Sequence, residues 1–355
     1  MTPGYESDYD SAVMTALSKP RRSGAITLED IARRARVSLI TASRALRGSS
    51  LVAAPTHERV LAAATELGYT PNLLARGLVQ NRTSTVGVVI LELSNPFFAP
   101  MVSAIETVAA KRGFLVVIGE SARNEEGERR YVEQFQQLRI GGIIVTPVTP
   151  QVEHLAAARA AGTPVVVMGR RWDDGDYVTA DNVEGGRLVA RHLLARGHRR
   201  IGLIRPEEPG NTALQDRVQG FLDVLAAAGL SVPTAWEIRT STTLIEDGME
   251  AADRLLSQAD RPSAIFVTTD REGMGVIHRL LERGIRIPED IAVVGYDDIP
   301  FAACTQVPLT TVAIPMRRLG ERSAEILFER LDGVGPPEWQ HVLLPPELVI
   351  RASSP

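Results

Sequence analysis

The chain has 355 residues, of which 44% are hydrophobic, so it can bury more than one core and is expected to form two or three domains. Its single cysteine, Cys304, excludes a disulfide framework and a multi-cysteine metal site, as is typical of a reducing compartment. No apolar run approaches the roughly 20 residues that a membrane span needs. The acidic N-terminus lacks the pattern of a secretory signal, and the six histidines show no metal-ligand spacing. We therefore expect a cytoplasmic protein with no membrane partner, no metal and no cofactor.

Charge is distributed unevenly along the chain. The overall net charge is −4, but residues 19–82 hold eleven basic and four acidic residues, a net charge of +7. Residues 1–18 carry −3, which leaves −8 for residues 83–355. A basic segment joined to an acidic body is typical of a phosphate-binding domain attached to a soluble partner domain. Exposed arginines that merely solvate helices would explain the same charge pattern.

Three short helices are predicted near the N-terminus, after a polar stretch, residues 1–24, that is expected to be a disordered tail. Thr27, with Asp30 three residues later, forms a capping-box pattern for the first helix. Ser38 can cap a second helix that follows after only a tight turn. A third helix begins at Pro55 and is ended near 67 by a glycine and a proline. The first two helices predict a helix-turn-helix unit, with a DNA-binding domain over 25–71.

The second helix has two distinct faces. Ala42, Ala45 and Leu46 recur at helical spacing and form the inward face. The outward face near its N-terminus consists of Leu39, Ile40, Ser43 and Arg44. An arginine there can donate two hydrogen bonds to guanine, whereas leucine and isoleucine can only contact thymine methyl groups or exclude other groups. The alternative is that the two apolar residues belong to the core of the domain.

From residue 85 the pattern changes to an alternation of strands and helices. Strands are expected at 86–91, 114–119, 142–145, 164–168, 200–204, 264–268 and 291–296. Helices are expected at 97–112, 127–138, 152–161, 182–196, 213–228, 245–257 and 273–283. Such alternation predicts a mainly parallel sheet covered by helices on both faces. About ten strands exceed one comfortable sheet, so two similar lobes with a ligand cleft between them are expected.

The sequence shows no phosphate-binding loop of an NTPase, no nucleophile elbow and no recognisable catalytic triad, so an enzyme is not predicted. The ordered motifs instead resemble the LacI/GalR family of bacterial transcription regulators, from residue 26 to about 350. In the head these are TLEDIA at 27–32, VS at 37–38 and LGYTPN at 67–72. In the body they are SNPFF at 94–98, DN at 181–182, GHRRI at 197–201, VGYDD at 294–298 and PLTTV at 308–312. The head also bears some resemblance to the gluconate-type regulators of the family.

This resemblance implies an all-α helix-turn-helix head followed by a periplasmic-binding-protein-like body of two doubly wound α/β lobes, over 84–350. It implies a homodimer, favoured over a tetramer because no heptad run follows residue 345, on a palindromic double-stranded operator. It further implies a small-molecule effector, a sugar or a sugar derivative, that releases or promotes DNA binding. A solute-binding protein of a sugar transport system, with no DNA role, is the alternative reading of the same body.

The family also implies which residues meet DNA. Those of the head are Thr27, Ser38, Leu39, Ile40, Thr41, Ser43, Arg44 and Thr56. Residues 72–83 correspond to the family's hinge helix and linker, in which Asn72, Ala75 and Leu78 would approach the minor groove, with Leu78 as the wedge. A plain linker is the alternative. Departures from the family pattern are Arg36, where a glycine is usual and positive φ is expected, and Ala53, where the third helix usually has a serine-type cap.

Effector-binding positions implied by the family motifs are Asn95, Phe97, Phe98, Ser121, Arg217, Asp270 and Tyr296. At least one of the two phenylalanines is expected to pack in the lobe instead. Gly169-Arg170-Arg171 stands where the family often has an acidic residue. We therefore hypothesise that Arg170 and Arg217 bind an anionic effector, a sugar acid or a sugar phosphate. The competing interpretation is that Arg170 points to solvent or forms an ion pair with Asp173 or Asp174.

Overall fold

A computed structural model describes residues 26–46, 49, 51–69, 83–208 and 210–355. The chain divides into two units, Met1–Arg76 and Gly77–Pro355, here called the head and the body. The predicted tail and the predicted hinge contacts of Asn72, Ala75 and Leu78 lie outside the described residues. No helix in the described ranges has both the length and the apolar character needed to cross a bilayer.

The described part of the head contains the three predicted helices. They are α1 (Leu28–Ala35), α2 (Leu39–Leu46) and α3 (Ala54–Leu67). The predicted capping box of α1 is present, because Thr27 Oγ1 accepts from the Asp30 backbone N–H and Asp30 accepts from the Thr27 backbone N–H at 2.9 Å. Arg36 adopts a left-handed φ of 55°, as its replacement of a glycine suggested. Ala53 supplies no side-chain cap to α3, so that helix begins without the acceptor a serine would provide.

Each lobe of the body is built on a six-stranded sheet with helices on both faces. The first lobe contains β1 (Thr85–Ile90), α4 (Ala99–Lys111), β2 (Leu115–Glu120), α5 (Glu125–Gln137), β3 (Gly142–Val145), α6 (Glu153–Ala160), β4 (Val165–Met168) and β5 (Asp176–Ala180). The second lobe contains α7 (Asn182–Ala195), β6 (Ile201–Pro206), α8 (Thr212–Ala227), β7 (Glu237–Thr240), α9 (Ile245–Leu256), β8 (Ala264–Val267), α10 (Asp270–Glu282), β9 (Ala292–Asp297) and β10 (Thr310–Ala313). The chain ends with α11 (Met316–Asp332), β11 (His341–Leu344) and β12 (Glu347–Val349).

The C-terminal segment ties the two lobes together. Strand β11 pairs with β5 at the edge of the first sheet, whose order is β11-β5-β4-β3-β1-β2. Strand β12 pairs antiparallel with β10 in the second sheet, whose order is β12-β10-β9-β8-β6-β7. Helix α11 packs on α4 and on strands of the first lobe. The chain therefore passes between the lobes three times, after β5, after β10 and after β11.

The fully buried central strands explain the apolar runs in the sequence. All residues of β4, β8 and β9 are buried, as expected for parallel strands covered on both faces. Packing extends past the predicted end of the body at residue 350. Ser353 is fully buried, accepts a hydrogen bond from the Thr310 backbone N–H at 2.8 Å and donates one to the Val293 carbonyl at 2.6 Å.

Candidate functional site

The N-terminal half of α2 presents an unusual surface. Ser38 Oγ accepts from the Thr41 backbone N–H at 3.1 Å and thereby caps the helix, as predicted. Ala42 and Ala45 are fully buried, whereas Leu39 is 46% exposed and Ile40 is 65% exposed. The two apolar side chains are therefore surface residues of the head, and the interpretation that they are core residues is wrong.

The other predicted contact residues of the head are exposed or partly buried. Arg44, Thr27 and Ser38 are exposed, and Thr41, Ser43 and Thr56 are partly buried. A surface that combines exposed apolar groups, hydroxyls and a guanidinium has the groups needed to meet thymine methyls, phosphates and guanine. Binding of these residues to DNA stays a prediction.

In the body, a cavity of about 60 Å³ lies where the carboxyl ends of the strands of both lobes face each other. One water needs roughly 10–15 Å³ by this kind of measure, so there is room for several waters or for part of a small ligand. The predicted residues that line the cavity are Asn95, Phe97, Phe98, Arg170 and Arg217.

Two of these lining residues also serve the packing of the first lobe. Phe98 is 3% exposed, belongs to the core, and meets Phe97 edge to face at a centroid distance of 5.3 Å. Asn95 Oδ1 accepts from the Phe97 backbone N–H at 3.1 Å, which shapes the loop after β1. Phe97 is only partly buried and is thus the aromatic residue better placed to contact a ligand.

Each of the three side-chain nitrogens of Arg217, on α8, has a protein partner. Its Nε donates to Asn182 Oδ1 at 3.0 Å and one terminal nitrogen donates to the Thr268 carbonyl at 2.8 Å. The other terminal nitrogen lies 3.0 Å from Asp297 Oδ1 in a buried ion pair, and the guanidinium stacks on the ring of Tyr296. Burial raises the pKa of Asp297 to about 6, although Arg217 acts to lower it. Arg217 thus positions Asp297 at the cavity wall, with its own charge already neutralised.

Two close helix contacts fix this arginine in place. A Cβ on Gly186 in α7 would lie 1.9 Å from the Arg217 carbonyl oxygen, and one on Gly220 in α8 would lie 1.9 Å from the Val183 carbonyl oxygen. Because no side chain separates the two backbones, α7 and α8 pack in direct contact beside the cavity.

Three predicted effector residues do not reach the cavity. Asp270 is 0% exposed, and its carboxylate accepts from Thr311 Oγ1 at 2.6 Å and from the Ile299 backbone N–H at 2.9 Å. Tyr296 is equally buried beneath Arg217. Ser121 is 1% exposed and donates to the Ile90 carbonyl. The carboxylate of Asp270 is bound to β10 and to the loop after β9, so it supports the wall instead of lining it.

The structure adds cavity residues that sequence reasoning missed. From the first lobe Arg123 forms a short ion pair with Glu208 of the second lobe and donates to Thr243 Oγ1 at 2.8 Å. From the second lobe Arg271 donates to Glu92 of the first lobe at 3.0 Å. These reciprocal pairs cross from one lobe to the other at the cavity. The ends of predicted strands were the available signal for Glu92, Arg123, Glu208 and Arg271, each of which lies within four residues after such a strand, whereas Thr243 follows β7, which was not predicted.

Asp297, which belongs to the motif VGYDD named above, also lines the cavity. It follows Tyr296 directly, and neighbouring side chains on a strand point to opposite faces. Its φ of 117° lies in a region that non-glycine residues rarely adopt, and such strain is found preferentially at functional sites. Of these two neighbours in the motif VGYDD, Asp297 lines the cavity and Tyr296 is buried.

Among the described residues no group of three or more His, Cys, Asp or Glu side chains is arranged to hold a metal ion. The arrangement combines hydrogen-bonding and charged groups in a partly closed interlobe cavity. A helix-turn-helix head and a two-lobed body with such a cavity define the class of ligand-responsive DNA-binding regulators.

Comparison with known proteins agrees with this class. Residues 27–72 match the model for bacterial regulatory proteins of the lacI family, and residues 190–354 match a periplasmic binding protein-like domain. The HTH-type transcriptional repressor PurR of Photobacterium profundum is 34% identical over 332 residues, which is 92% of this chain and 98% of that protein. The lac repressor dimer bound to operator and the anti-inducer ONPF has a TM-score of 0.83 at 29% identity, covering 93% of this chain and 99% of that one. A CelR–cellobiose complex has a TM-score of 0.70 at 31% identity, covering 92% and 99%.

The chain belongs to the lacI family of bacterial regulatory proteins. It is a DNA-binding transcriptional regulator with an effector-binding body, and its relatives include repressors. The alternative of a solute-binding protein without a DNA role does not account for the lacI-family domain at residues 27–72.

Proposed function

We propose that the protein is a homodimeric repressor that places α2 of each head in the major groove of a palindromic operator. The observation that carries this proposal is the exposed face of α2, where Leu39 and Ile40 project beside Arg44. The likeness to the lac repressor dimer bound to operator supports it. Two heads related by a two-fold axis match the symmetry of a palindromic site.

We infer further that a small polyhydroxylated effector binds in the cavity between the lobes and changes operator affinity. Arg217 with Asp297 presents both a donor and an acceptor, and Asn182 and Thr146 add further polar groups to the wall. Sugar hydroxyls both donate and accept hydrogen bonds, and the ring of Phe97 can cover an apolar sugar face. The CelR–cellobiose complex, with a similar fold, supports a sugar-like ligand.

Selection from random duplex DNA, followed by measurement of affinity in increasing salt, tests the DNA part of the proposal. We expect a palindromic consensus and a dissociation constant that rises steeply with salt concentration. The logarithm of the dissociation constant, plotted against the logarithm of the salt concentration, should have a slope of about 0.9 for each phosphate contact. Arg44→Ala should weaken specific binding by about 1–3 kcal/mol. The control Arg187→Ala, on α7 of the body, should leave it unchanged. A flat salt response or an unaffected Arg44→Ala variant would contradict the proposed face.

Base chemistry gives a sharper test of the two apolar residues. Replacing a consensus thymine by uracil removes only its methyl group, so wild-type affinity should fall at the positions that Leu39 or Ile40 contacts. The variant Ile40→Ala should lose that sensitivity at one position and keep it at the other. Equal affinity for thymine and uracil throughout the site would show that these side chains read no methyl group.

A further inference from the structure

Arg170 stands apart from the other arginines at the cavity. It follows Gly169 after β4, and its side chain lines the cavity. One terminal nitrogen donates to the Gly169 carbonyl at 2.9 Å, and Nε is buried without a hydrogen-bond partner. Arg170 is partly exposed and lines the cavity. Within the described part of the chain it forms no ion pair, so the expected alternative of pairing with Asp173 or Asp174 is wrong. The charge of this guanidinium has no bonded counter-ion.

Each other cavity arginine has its own carboxylate. Arg123 is bonded to Glu208, Arg271 to Glu92, and Arg217 to Asp297. Glu208 and Asp297 also act on Arg170 through space, but both are already bonded to another arginine. Among the described residues, four arginines line the cavity, and three of them are bonded to Glu208, to Asp297 or, just outside the cavity lining, to Glu92. Arg170 is the one that is bonded to no carboxylate.

A charged group that is removed from water without a bonded partner destabilises the folded protein, so such a group indicates a functional role. Burial is the main cause that lowers the pKa of Arg170, to about 10. At neutral pH the guanidinium therefore stays protonated and cannot escape the cost by losing its proton. The buried hydroxyl of Thr146, also without a hydrogen-bond partner, lines the same cavity. Unsatisfied polar atoms at a cavity wall indicate a polar ligand.

We propose that the effector carries an anionic group, a carboxylate or a phosphate on a polyhydroxylated small molecule, and that Arg170 binds this group. This inference rests on the proposed function, which places the effector in this cavity, and it adds the charge of the ligand. It also modifies the expectation from sequence that Arg170 and Arg217 act together. Arg217 is neutralised by Asp297, so the anion pairs with Arg170 and the ligand hydroxyls are left to Arg217 and Asp297.

A first test needs no ligand. In chloride buffer, Arg170→Met should leave the unfolding temperature of the full-length protein unchanged or raise it, because it removes an unpaired buried charge. The matched variant Arg271→Met removes one partner of an ion pair and should lower it. A loss of stability in Arg170→Met as large as in Arg271→Met would show that Arg170 already has a partner in the protein, and would overturn the proposal.

The second test compares ligands of matched skeleton. Unfolding temperatures are measured with D-gluconate, D-glucose 6-phosphate, inorganic phosphate and neutral D-glucose, at equal ionic strength set with chloride. We expect at least one anion to stabilise the wild type more than glucose does. Arg170→Met should lose that difference, and Arg170→Lys should keep part of it. Stronger stabilisation by gluconate would indicate a carboxylate effector, and stronger stabilisation by glucose 6-phosphate would indicate a phosphate effector.

Three outcomes overturn the inference: stabilisation by glucose alone, equal anion effects in wild type and Arg170→Met, or no effect of any anion relative to chloride. Operator binding by the same preparations separates this inference from the proposed function. If the protein binds operator DNA specifically but no anion stabilises it through Arg170, only the inference of an anionic effector is wrong. If no specific DNA is bound, the proposed function itself fails.

Discussion

Arg36 ends α1 in a left-handed conformation, with φ 55° and ψ 50°. For a residue with a Cβ this conformation costs roughly 1–2 kcal/mol, whereas glycine adopts it freely and loses part of the gain through its more flexible unfolded chain. We therefore expect Arg36→Gly to stabilise the head by about 1 kcal/mol. Hydrogen exchange of the α1 amides in the full-length protein measures this free energy directly.

The same substitution three residues earlier provides the control. Arg33 lies in the last turn of α1, where glycine is less favourable than a good helix former by about 1 kcal/mol. Arg33→Gly should therefore accelerate exchange of the α1 amides while Arg36→Gly slows it. Changes of the same sign in both variants would show that the backbone at Arg36 is not strained.

Glu272 is a fully buried carboxyl group on α10. Its two oxygens accept from Thr240 Oγ1 at 2.6 Å and from Thr269 Oγ1 at 2.8 Å. Burial raises its pKa to about 8, Asp247 and Glu208 act in the same direction, and the two threonine hydrogen bonds act against it. Between pH 4.5, the value for a free glutamate, and pH 8 the folded state therefore retains a proton that the unfolded state loses. The free energy of unfolding must fall as pH rises through this window.

Glu272→Gln should reduce the decrease in the free energy of unfolding between pH 4.5 and pH 8. The glutamine amide has the same shape, does not titrate in this range, and can donate a hydrogen bond to a threonine oxygen. Unfolding temperatures at pH 5 and pH 8.5 should differ less in this variant than in wild type. Glu282→Gln, on an exposed position of the same helix, serves as the control and should preserve the wild-type difference. An unchanged difference in Glu272→Gln would mean that another group causes the pH dependence.

The residue scale also shows where sequence reasoning stops. The cap of Thr27 was predictable because it depends on a residue three positions away. The left-handed backbone at Arg36 was predictable because the family usually has a glycine at this position. The roles of Tyr296 and Asp297 were not, because these depend on which face of β9 meets the cavity. The unpaired state of Arg170 was equally out of reach, since it depends on carboxylates that lie far away in sequence and are bonded elsewhere.

At the scale of elements, the contact between α7 and α8 sets the position of Arg217. Gly186→Ala would place a Cβ 1.9 Å from the Arg217 carbonyl oxygen, so the helices must separate. We expect a loss of about 1–3 kcal/mol, as for other overpacked cores, and a lower unfolding temperature. Binding of the stabilising ligand should weaken as well, because Arg217 moves with α8 and shifts relative to its partner Asp297 on β9.

A glycine in another helix gives the matched control. In α10, the atom nearest to a Cβ on Gly273 would be Leu309 Cδ2, at 3.0 Å, the end of a flexible side chain, and the nearest backbone atom, Gly295 Cα, would lie at an ordinary contact distance of 3.9 Å. Gly273→Ala also gains about 1 kcal/mol of helix propensity, so its net effect should be small. Calorimetry measures the unfolding of Gly186→Ala and Gly273→Ala. Equal stabilities of the two variants would contradict a fixed contact between α7 and α8.

Elements with strong local patterns were predicted best. The alternation of buried strands and amphipathic helices from β1 to β9 follows from hydrophobic periodicity, and most ends agree within a few residues. The missed elements were β5, β7, β10, α11, β11 and β12. The missed strands are three to five residues long, and β11 and β12 pair with strands more than 30 residues away in sequence. Their pairing is decided by tertiary contacts, which local sequence does not encode.

At the scale of the whole body, ion pairs between the lobes oppose opening of the cleft. Arg123 joins Glu208 and Arg271 joins Glu92 across the lobes, whereas the arginines near the cavity repel one another. Partly exposed pairs of this kind contribute about 1 kcal/mol each, so two of them shift the ratio of closed to open lobes by roughly 30-fold. Loss of these cross-lobe pairs is therefore expected to favour the open cleft.

The double variant Glu92→Gln, Glu208→Gln should open the body, because it leaves Arg123 and Arg271 without partners beside Arg170. We expect a larger radius of gyration in small-angle X-ray scattering of the ligand-free protein and weaker binding of whichever ligand stabilises the wild type. High salt should move the wild type in the same direction, since it screens the cross-lobe pairs. The control is Glu237→Gln, which breaks an ion pair of 2.7 Å with Arg205 inside the second lobe. If both variants leave the radius of gyration at the wild-type value, the lobes are held closed by apolar packing and by the three chain crossings instead of by charge.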